Sequence, residues 1–267
     1  MLNIYIVSLE QDLHKRNKIS SILNSYGLKY QFVDAIYGKK LSEEEREFYI
    51  KKSTGKILDR CFMPTPGEIG CTLSHIKAYK QIVNNGDEWA CILEDDVILD
   101  QRFQKFIKEF DCNNINMDSH SIYLLGGQEG LFSHEIVKSI QNFHEIGSQK
   151  LYKTIRSEAI IYRTCCYVLN AQLAKRMLEF YQINFILADD WNYLLKNEFI
   201  NRIYLGDFVE HPIDLSNSLI ESERVNASGN VRADQKISNL FSKLKKPLKK
   251  IRILFLKIYV IYLEKKD

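Results

Sequence analysis

The chain has 267 residues, 45% of them hydrophobic, enough for a substantial core in one large domain with or without an appendage. Four Pro and twelve Gly exclude a fibrous or low-complexity chain. The net charge of +3 divides unevenly: residues 236–267 hold ten Lys and Arg against two acids, a balance of +8, which leaves 27 bases and 32 acids, or −5, in residues 1–235. A basic end on an acidic body points to an anionic surface as partner and away from nucleic acid, which calls for a basic face on the body itself.

Asn3–Ser8 is a short run rich in Ile and Val and reads as a strand. Residues 11–25 carry Leu13, Ile19, Ile22 and Leu23 at helical spacing, with Gly27 as the stop, and residues 30–35 form a second apolar run. This alternation is that of an α/β domain with a mostly parallel sheet, in which ligands bind beyond the carboxyl ends of strands. Ser8, Leu9, Asp34 and Ala35 lie at such ends. Residues 41–60 read as a charged helix followed by irregular chain, and Pro64 and Pro66 break it. A helix is predicted from Gly67 to about Asn84, with Ile69, Leu73, Ile76 and Val83 on one face and Asn85-Gly86-Asp87 as its close. Residues 89–93 read as a buried strand that runs straight into Glu94-Asp95-Asp96, and a helix follows over 101–110. Residues 121–125 are another strand, ended by Gly126-Gly127, while 128–160 show no clear period. A strand over 164–169, helices over 171–181 and 188–196, and short strands over 202–205 and 207–210 complete the body. Residues 214–235 are polar, with Ser-Asn-Ser and Ala-Ser-Gly-Asn clusters, and read as a loop. The division expected is a catalytic domain over 1–235 and a tail over 236–267.

Six cysteines include no CxxC pair and no zinc-finger spacing, and the first residues have no positively charged start, long apolar stretch or small-residue cleavage site. No segment reaches the roughly 20 apolar residues of a membrane span. The expectation is a cytoplasmic protein with free thiols.

The acidic triplet Glu94-Asp95-Asp96 at the end of a buried strand is the most informative feature. Carboxylates crowded there repel one another, and a cation, a helix N-terminus or plain solvent must offset the cost. Hard divalent cations prefer oxygen ligands and keep substrate phosphates in their shell. The alternative is an acidic turn that caps the next helix.

Four motifs in order resemble glycosyltransferase family 25, bacterial lipooligosaccharide galactosyltransferases and their relatives. They are Ile4-Tyr5-Ile6-Val7-Ser8-Leu9 with Arg16, Phe32-Val33-Asp34-Ala35 with Gly38, Gly67-Glu68-Ile69-Gly70-Cys71-Thr72-Leu73-Ser74-His75, and Ile92-Leu93-Glu94-Asp95-Asp96-Val97. Looser matches are Cys166-Tyr167-Val168-Leu169, Asp189-Asp190-Trp191, and His211-Pro212 with Ser218 and Ile220. The resemblance covers about 1–220 and fades over 128–160. It implies a GT-A-like nucleotide-diphospho-sugar transferase fold, a UDP-hexose donor and an inverting β-1,4 transfer, most of all of galactose, to a lipooligosaccharide, lipopolysaccharide or related surface glycan.

The roles it implies follow residue by residue. Asp96 is the first choice as ligand to Mn²⁺ or Mg²⁺, with Glu94 standing where the general DxD pattern has its first aspartate, and Glu94 or Asp95 on the ribose or donor sugar. His211 is a second ligand from a distant loop, or an ordinary His-Pro turn. Asp190 or Asp189 is the base that takes the acceptor proton, Asp190 being favoured because it precedes Trp191, a platform for a sugar ring; the other reading is a helix cap. Ser8, Leu9, Arg16, Asp34, Ala35 and Gly38 are assigned to the nucleotide-sugar, with Ser74 and His75 facing donor or acceptor. For Arg16 a plain surface role is the alternative, and for Glu68 the helix dipole is a sufficient explanation.

In the tail, Leu240, Leu244, Leu248, Ile251, Phe255, Ile258 and Tyr262 form an apolar helical stripe with Lys243, Lys245, Lys246, Lys249, Lys250 and Arg252 crowding its start. It reads as an interfacial helix on the inner face of the cytoplasmic membrane, or as a helix packed on protein. Two further classes compete with a sugar transferase. One is a metal-dependent nucleotidyltransferase; the other is a membrane-surface binding protein without turnover.

Overall fold

The computed structural model describes residues 2–58, 60, 63–110, 116–131, 133–147, 149–216, 218–229, 255–260 and 262. In chain order the elements are β1 (Asn3–Ser8), α1 (Leu13–Ser25), β2 (Tyr30–Asp34), α2 (Glu43–Lys51), α3 (Pro66–Asn85), β3 (Trp89–Glu94), β4 (Ile98–Leu99), α4 (Gln101–Glu109) and β5 (Ile122–Gly126). There follow β6 (Lys138–Ile146), β7 (Gln149–Thr154), β8 (Cys166–Asn170), α5 (Ala171–Ile183), α6 (Trp191–Lys196), β9 (Ile203–Glu210) and α7 (Leu219–Gly229).

The strands make one sheet in the order β2-β1-β3-β8-β5-β9-β7-β6, with β4 added on β9. It is an α/β sheet covered on both faces. In β1 the side chains alternate between two cores. Ile4 and Ile6 join Ile19 and Leu23 of α1, while Tyr5 and Val7 join Tyr79 and Ile82 of α3. Cys91 and Leu93 of β3 belong to the first core and Ala90 and Ile92 to the second. Burial on both sides is why these strands read as unbroken apolar runs. Parallel pairing holds for β1 with β2 and β3, and for β5 with β9. The insertion of β8 between β3 and β5 is antiparallel on both sides, and so are the pairs β7–β9 and β6–β7 at the far edge.

The helix around the third motif starts one residue earlier than expected. Thr65 and Glu68 form a reciprocal capping box, Pro66 opens α3, and Gly86 closes it in the left-handed conformation. The loop after β2 lies against its first turn. A Cβ on Gly38 would lie 1.7 Å from the Pro66 carbonyl oxygen, and one on Gly70 would lie 2.6 Å from that of Ile36. Glycine is required at both places by backbone-to-backbone approach.

Residues 128–160, left unassigned by the sequence, contain the hairpin β6–β7 at the sheet edge, a place where half-exposed strands show little period. Three expectations need correction. The strands expected at 202–205 and 207–210 are one strand, β9. The helix expected over 188–196 begins only at Trp191, because Asp190 caps it. Residues 219–229 are a helix rather than a loop. Helix α7 is weak by composition but is held by tertiary bonds: Arg224 Nε donates to Glu68 Oε1 (2.7 Å), and the Gly67 amide donates to Glu223 Oε2 (2.7 Å).

Of the tail, residues 255–260 are helical. Val260 is buried and Lys257 Nζ donates to the His134 carbonyl, while Phe255, Ile258, Tyr259 and Tyr262 are exposed. Leu240, Leu244, Leu248, Ile251 and the lysine cluster lie outside the described residues. Among the described residues no helix is long and apolar enough to cross a membrane. Cys71, Cys91, Cys165 and Cys166 are free thiols.

Candidate active site

Parallel β1 and β3 end side by side at Ser8 and Glu94, and the triplet turns away from the sheet there. A cleft of about 480 Å³ opens above these ends. Ser8, Leu9, Ala35, Gly38, Ser74, Glu94, Asp95, Asp96 and His211 all line it, drawn from five separate stretches of chain. A smaller pocket of about 140 Å³ adjoins it and shares Glu94, Asp96 and His211. Asp189, Arg163, Thr164 and Arg224 are among the other residues that line this second pocket.

The three acids have three different environments. Glu94 Oε1 accepts from His75 Nε2 (3.2 Å) and from the Thr164 hydroxyl (2.5 Å). Burial pushes its pKa up, but the bond and charge of His75, with Thr164, outweigh that and hold it below the usual range. His75 is fixed from behind by Tyr167, whose hydroxyl lies 2.8 Å from Nδ1 and 3.0 Å from that of Tyr79. Asp95 Oδ2 accepts from Ser8 Oγ (2.6 Å), and its other oxygen lies 3.4 Å from Lys15 Nζ. Burial nonetheless raises its pKa.

Asp96 is the odd one. Its Oδ1 is sealed from solvent and has no hydrogen-bond partner among the described residues. The nearest base is His211 Nε2 at 3.9 Å. His211 Nδ1 lies 2.8 Å from the Pro212 carbonyl, which can only accept, so Nδ1 carries the proton. In the neutral ring Nε2 then presents a lone pair to the bare carboxylate oxygen. Burial and the charge of Glu94 push the Asp96 pKa up. Two lone pairs facing each other across this gap are what a divalent cation would satisfy, and a carboxylate with an imidazole is a donor set that Mn²⁺ accepts.

A second group, Cys71, His75 and Glu94, has ligand atoms within 4.8 Å of one another. It fits a cation poorly. Burial and the charges of Glu94 and Asp189 push the Cys71 thiol well up, and both His75 nitrogens are engaged.

Several residues assigned from the sequence do other work. Arg16 donates to the Ser8 carbonyl (2.8 Å), the Leu9 carbonyl (3.2 Å) and Asp34 Oδ1 (2.7 Å), and its guanidinium covers the Phe32 ring. Arg16 and Asp34 thus brace the ends of β1 and β2 and do not line the cleft. Ser74 touches the cleft, but its hydroxyl donates to the Gly70 carbonyl and accepts the Ile36 amide, tying down the loop above. His75 is buried and acts through Glu94.

The structure places Asp189 and Asp190 in different surroundings. Asp190 is 1% exposed. One oxygen caps α6 through the Tyr193 amide (3.3 Å), and the other accepts the Lys56 amide (2.6 Å). Trp191 is fully buried with its Nε1 on the Arg163 carbonyl, so it offers no platform. Asp189 faces the second pocket, with Oδ2 accepting the Arg163 amide (3.1 Å). Glu68 does more than complement a dipole. It is buried and binds Arg60 through both oxygens, as well as Arg224 and the Thr65 amide.

Arg163, Thr164, Arg224 and Lys15 are site residues that sequence reasoning missed. Arg163 adopts φ 68, rare for a side chain of its size, and donates to the Gly127 and Glu129 carbonyls. No local pattern announces it.

The sequence model of glycosyltransferase family 25 (LPS biosynthesis protein) matches residues 1–191. A glycosyltransferase 25 family member of Aedes aegypti is 30% identical over 182 residues, 66% of this chain and 28% of its own length. A putative glycosyltransferase of Haemophilus influenzae is 24% identical over 259 residues, 90% of this chain and 84% of its own. Procollagen galactosyltransferase 1-B of Xenopus laevis is 32% identical over 129 residues, 45% of this chain and 20% of its own. The chain therefore spans under a third of the two animal relatives and most of the bacterial one. With the match covering both strand ends, the acidic triplet and Asp189, the chain belongs to glycosyltransferase family 25.

Proposed function

We propose that residues 1–235 transfer a hexose, galactose before glucose, from a UDP-sugar to a lipooligosaccharide, lipopolysaccharide or related surface glycan, with inversion and a β-1,4 linkage. The observation that carries this reading is the orphaned Asp96 Oδ1 facing His211 Nε2 at the floor of a cleft built on strand ends. The galactosyl preference rests on the name of the frog relative, and the surface glycan on the family's description.

Asp96 and His211 would hold Mn²⁺ in preference to Mg²⁺, the imidazole tipping the choice. Such an ion supplies Lewis-acid neutralisation of a diphosphate leaving group. The chain's own residues do the rest. Ser8 fixes Asp95, and His75 fixes Glu94, so both carboxylates are oriented before a donor arrives. The loop of Ala35 and Gly38, clamped on α3, lines the same cleft and would border the nucleotide. Asp189, in the adjoining pocket, takes the proton of the acceptor hydroxyl as that oxygen bonds to the sugar's anomeric carbon.

For the tail, the +8 balance of residues 236–267 and the exposed Phe255, Ile258, Tyr259 and Tyr262 support a peripheral seat on an anionic bilayer, at the inner face of the cytoplasmic membrane. Loss of 236–267 is expected to abolish sedimentation with anionic liposomes and spare turnover of a soluble acceptor. Undiminished sedimentation would defeat the membrane reading.

The test of the whole reading is UDP release from a panel of UDP-sugars with glycan acceptors, in Mn²⁺ and in EDTA, for wild type and Asp96→Asn. Metal-dependent release from one donor, lost in the variant, is expected. Pyrophosphate in place of UDP would indicate nucleotidyl transfer, and no turnover or binding of any donor would leave a non-catalytic protein.

A further inference from the structure

The cleft contains a basic side chain beside the triplet that neither the motifs nor the family match singles out. Lys15 lies in the first turn of α1, and its Nζ is 3.4 Å from Asp95 Oδ1 and 3.8 Å from Asp12 Oδ2. Both acids are themselves anchored. Asp95 is held by Ser8 Oγ, and Asp12 is the N-cap of α1, accepting the Lys15 amide. The ammonium is therefore aimed at one place on the cleft wall, yet its side chain keeps 39% exposure and is free to reach inward.

Charge balance gives this position a meaning. Asp12, Asp95 and Asp96 surround one ammonium, so the wall is net negative and repels a nucleoside diphosphate. A divalent cation on Asp96 and His211 would offset two of the negative charges of this wall, and Lys15 then becomes the protein's own positive charge beside an incoming diphosphate. Lys39, the other lysine on the cleft, stands away from the triplet with Glu223 (3.7 Å). A lysine suits this duty because a flexible stem carries its charge from a carboxylate to a phosphate without backbone movement.

We propose that Lys15 exchanges Asp95 for the donor's diphosphate and hydrogen-bonds the leaving phosphate during transfer. This rests on the transfer reading above. In the step, the bond from the anomeric carbon to the phosphate oxygen breaks with its electron pair on that oxygen. The acceptor oxygen bonds to the same carbon, and its proton goes to Asp189. Lys15 keeps its own proton and donates a charge-assisted hydrogen bond to the departing oxyanion.

The test is binding by calorimetry in Mn²⁺ for UDP, GDP, CDP and ADP, and for the nucleoside of whichever base wild type prefers. Wild type is compared with Lys15→Met and Lys15→Gln, each checked by thermal melt. Expected is a loss of about tenfold or more in diphosphate affinity, the size of a charge-assisted contact, with nucleoside affinity unchanged and Lys15→Arg retaining part of the diphosphate affinity. Equal loss of nucleoside and diphosphate would make Lys15 a mere brace of α1, and undiminished diphosphate affinity would remove it from the site; either overturns the inference and leaves the transfer reading intact. A wild type that binds no nucleoside diphosphate overturns both.

Discussion

The different placements of Asp189 and Asp190 give the proposal of Asp189 as base its sharpest test. Asp190→Ala removes the α6 cap, worth about 1 kcal/mol. It also strips the partly buried Lys56 amide of its 2.6 Å acceptor, an orphaned donor costing about 1–3 kcal/mol. The Lys56 ammonium, 3.7 Å away and partly exposed, adds little. The sum is ~3 kcal/mol, and at about 2–4 °C per kcal/mol for a domain of this size the melting temperature drops by roughly 6–12 °C. Below that temperature the folded variant is expected to keep kcat within a small factor. Asp189→Asn is the mirror case. Its amide oxygen still accepts the Arg163 N–H, so the melting temperature holds, while on the proposed role of Asp189 as base kcat is expected to drop by about 10²–10⁴. Thermal melts and UDP release with a saturating acceptor measure both quantities on the same samples. If folded Asp190→Asn loses turnover while Asp189→Asn keeps it, the geometric argument is wrong and the base is Asp190.

Three further outcomes are expected. Glu68→Gln breaks a buried ion cluster that holds α7 and the Arg60 turn to α3, at about 3–5 kcal/mol; limited proteolysis will cut first within residues 219–229, and unchanged protection there would show that α7 stays in place without the cluster. Gly38→Ala forces a Cβ into the Pro66 carbonyl and should cost more than about 1–3 kcal/mol, whereas Gly27→Ala, with open space around it, meets only its φ of +67 and should cost about 1 kcal/mol; equal melts would contradict the close approach. For Asp118, burial raises the carboxyl pKa, but bonds from the His120 amide, Asn201 and Ser121 outweigh it and lower it below 3.8. A depressed carboxylate contributes stability that is present above its unfolded pKa and lost as pH falls through the folded one. Asp118→Asn should therefore flatten the melting curve below about pH 4, and a parallel curve would refute this assignment.

Much of the body was legible because local chemistry decided it. The runs at Asn3–Ser8 and Trp89–Glu94 are apolar on both faces and the triplet is consecutive, so the strands and the acids at their ends showed in the string, and the start of α3 to within one residue. Helix α7 did not show, since its cohesion comes from Glu68 and Gly67, over 150 residues away in sequence. The edge hairpin β6–β7 is half exposed and carries too little apolar period to be seen.

What the sequence by itself determined is the α/β class, the order of the motifs, the family and the identity of the acids at the strand end. These depend on residue type and spacing, which burial and hydrogen bonding translate directly into strands, helices and charge. Only the tertiary structure decided how each polar group is spent. It gave Arg16 and Asp34 to strand bracing, Asp190 to a helix cap, Asp189 to the pocket, and left Asp96 Oδ1 bare opposite His211. The physical reason is that a carboxylate or guanidinium has the same chemistry wherever it stands, and its task is set by the partners that distant segments bring within about 3 Å.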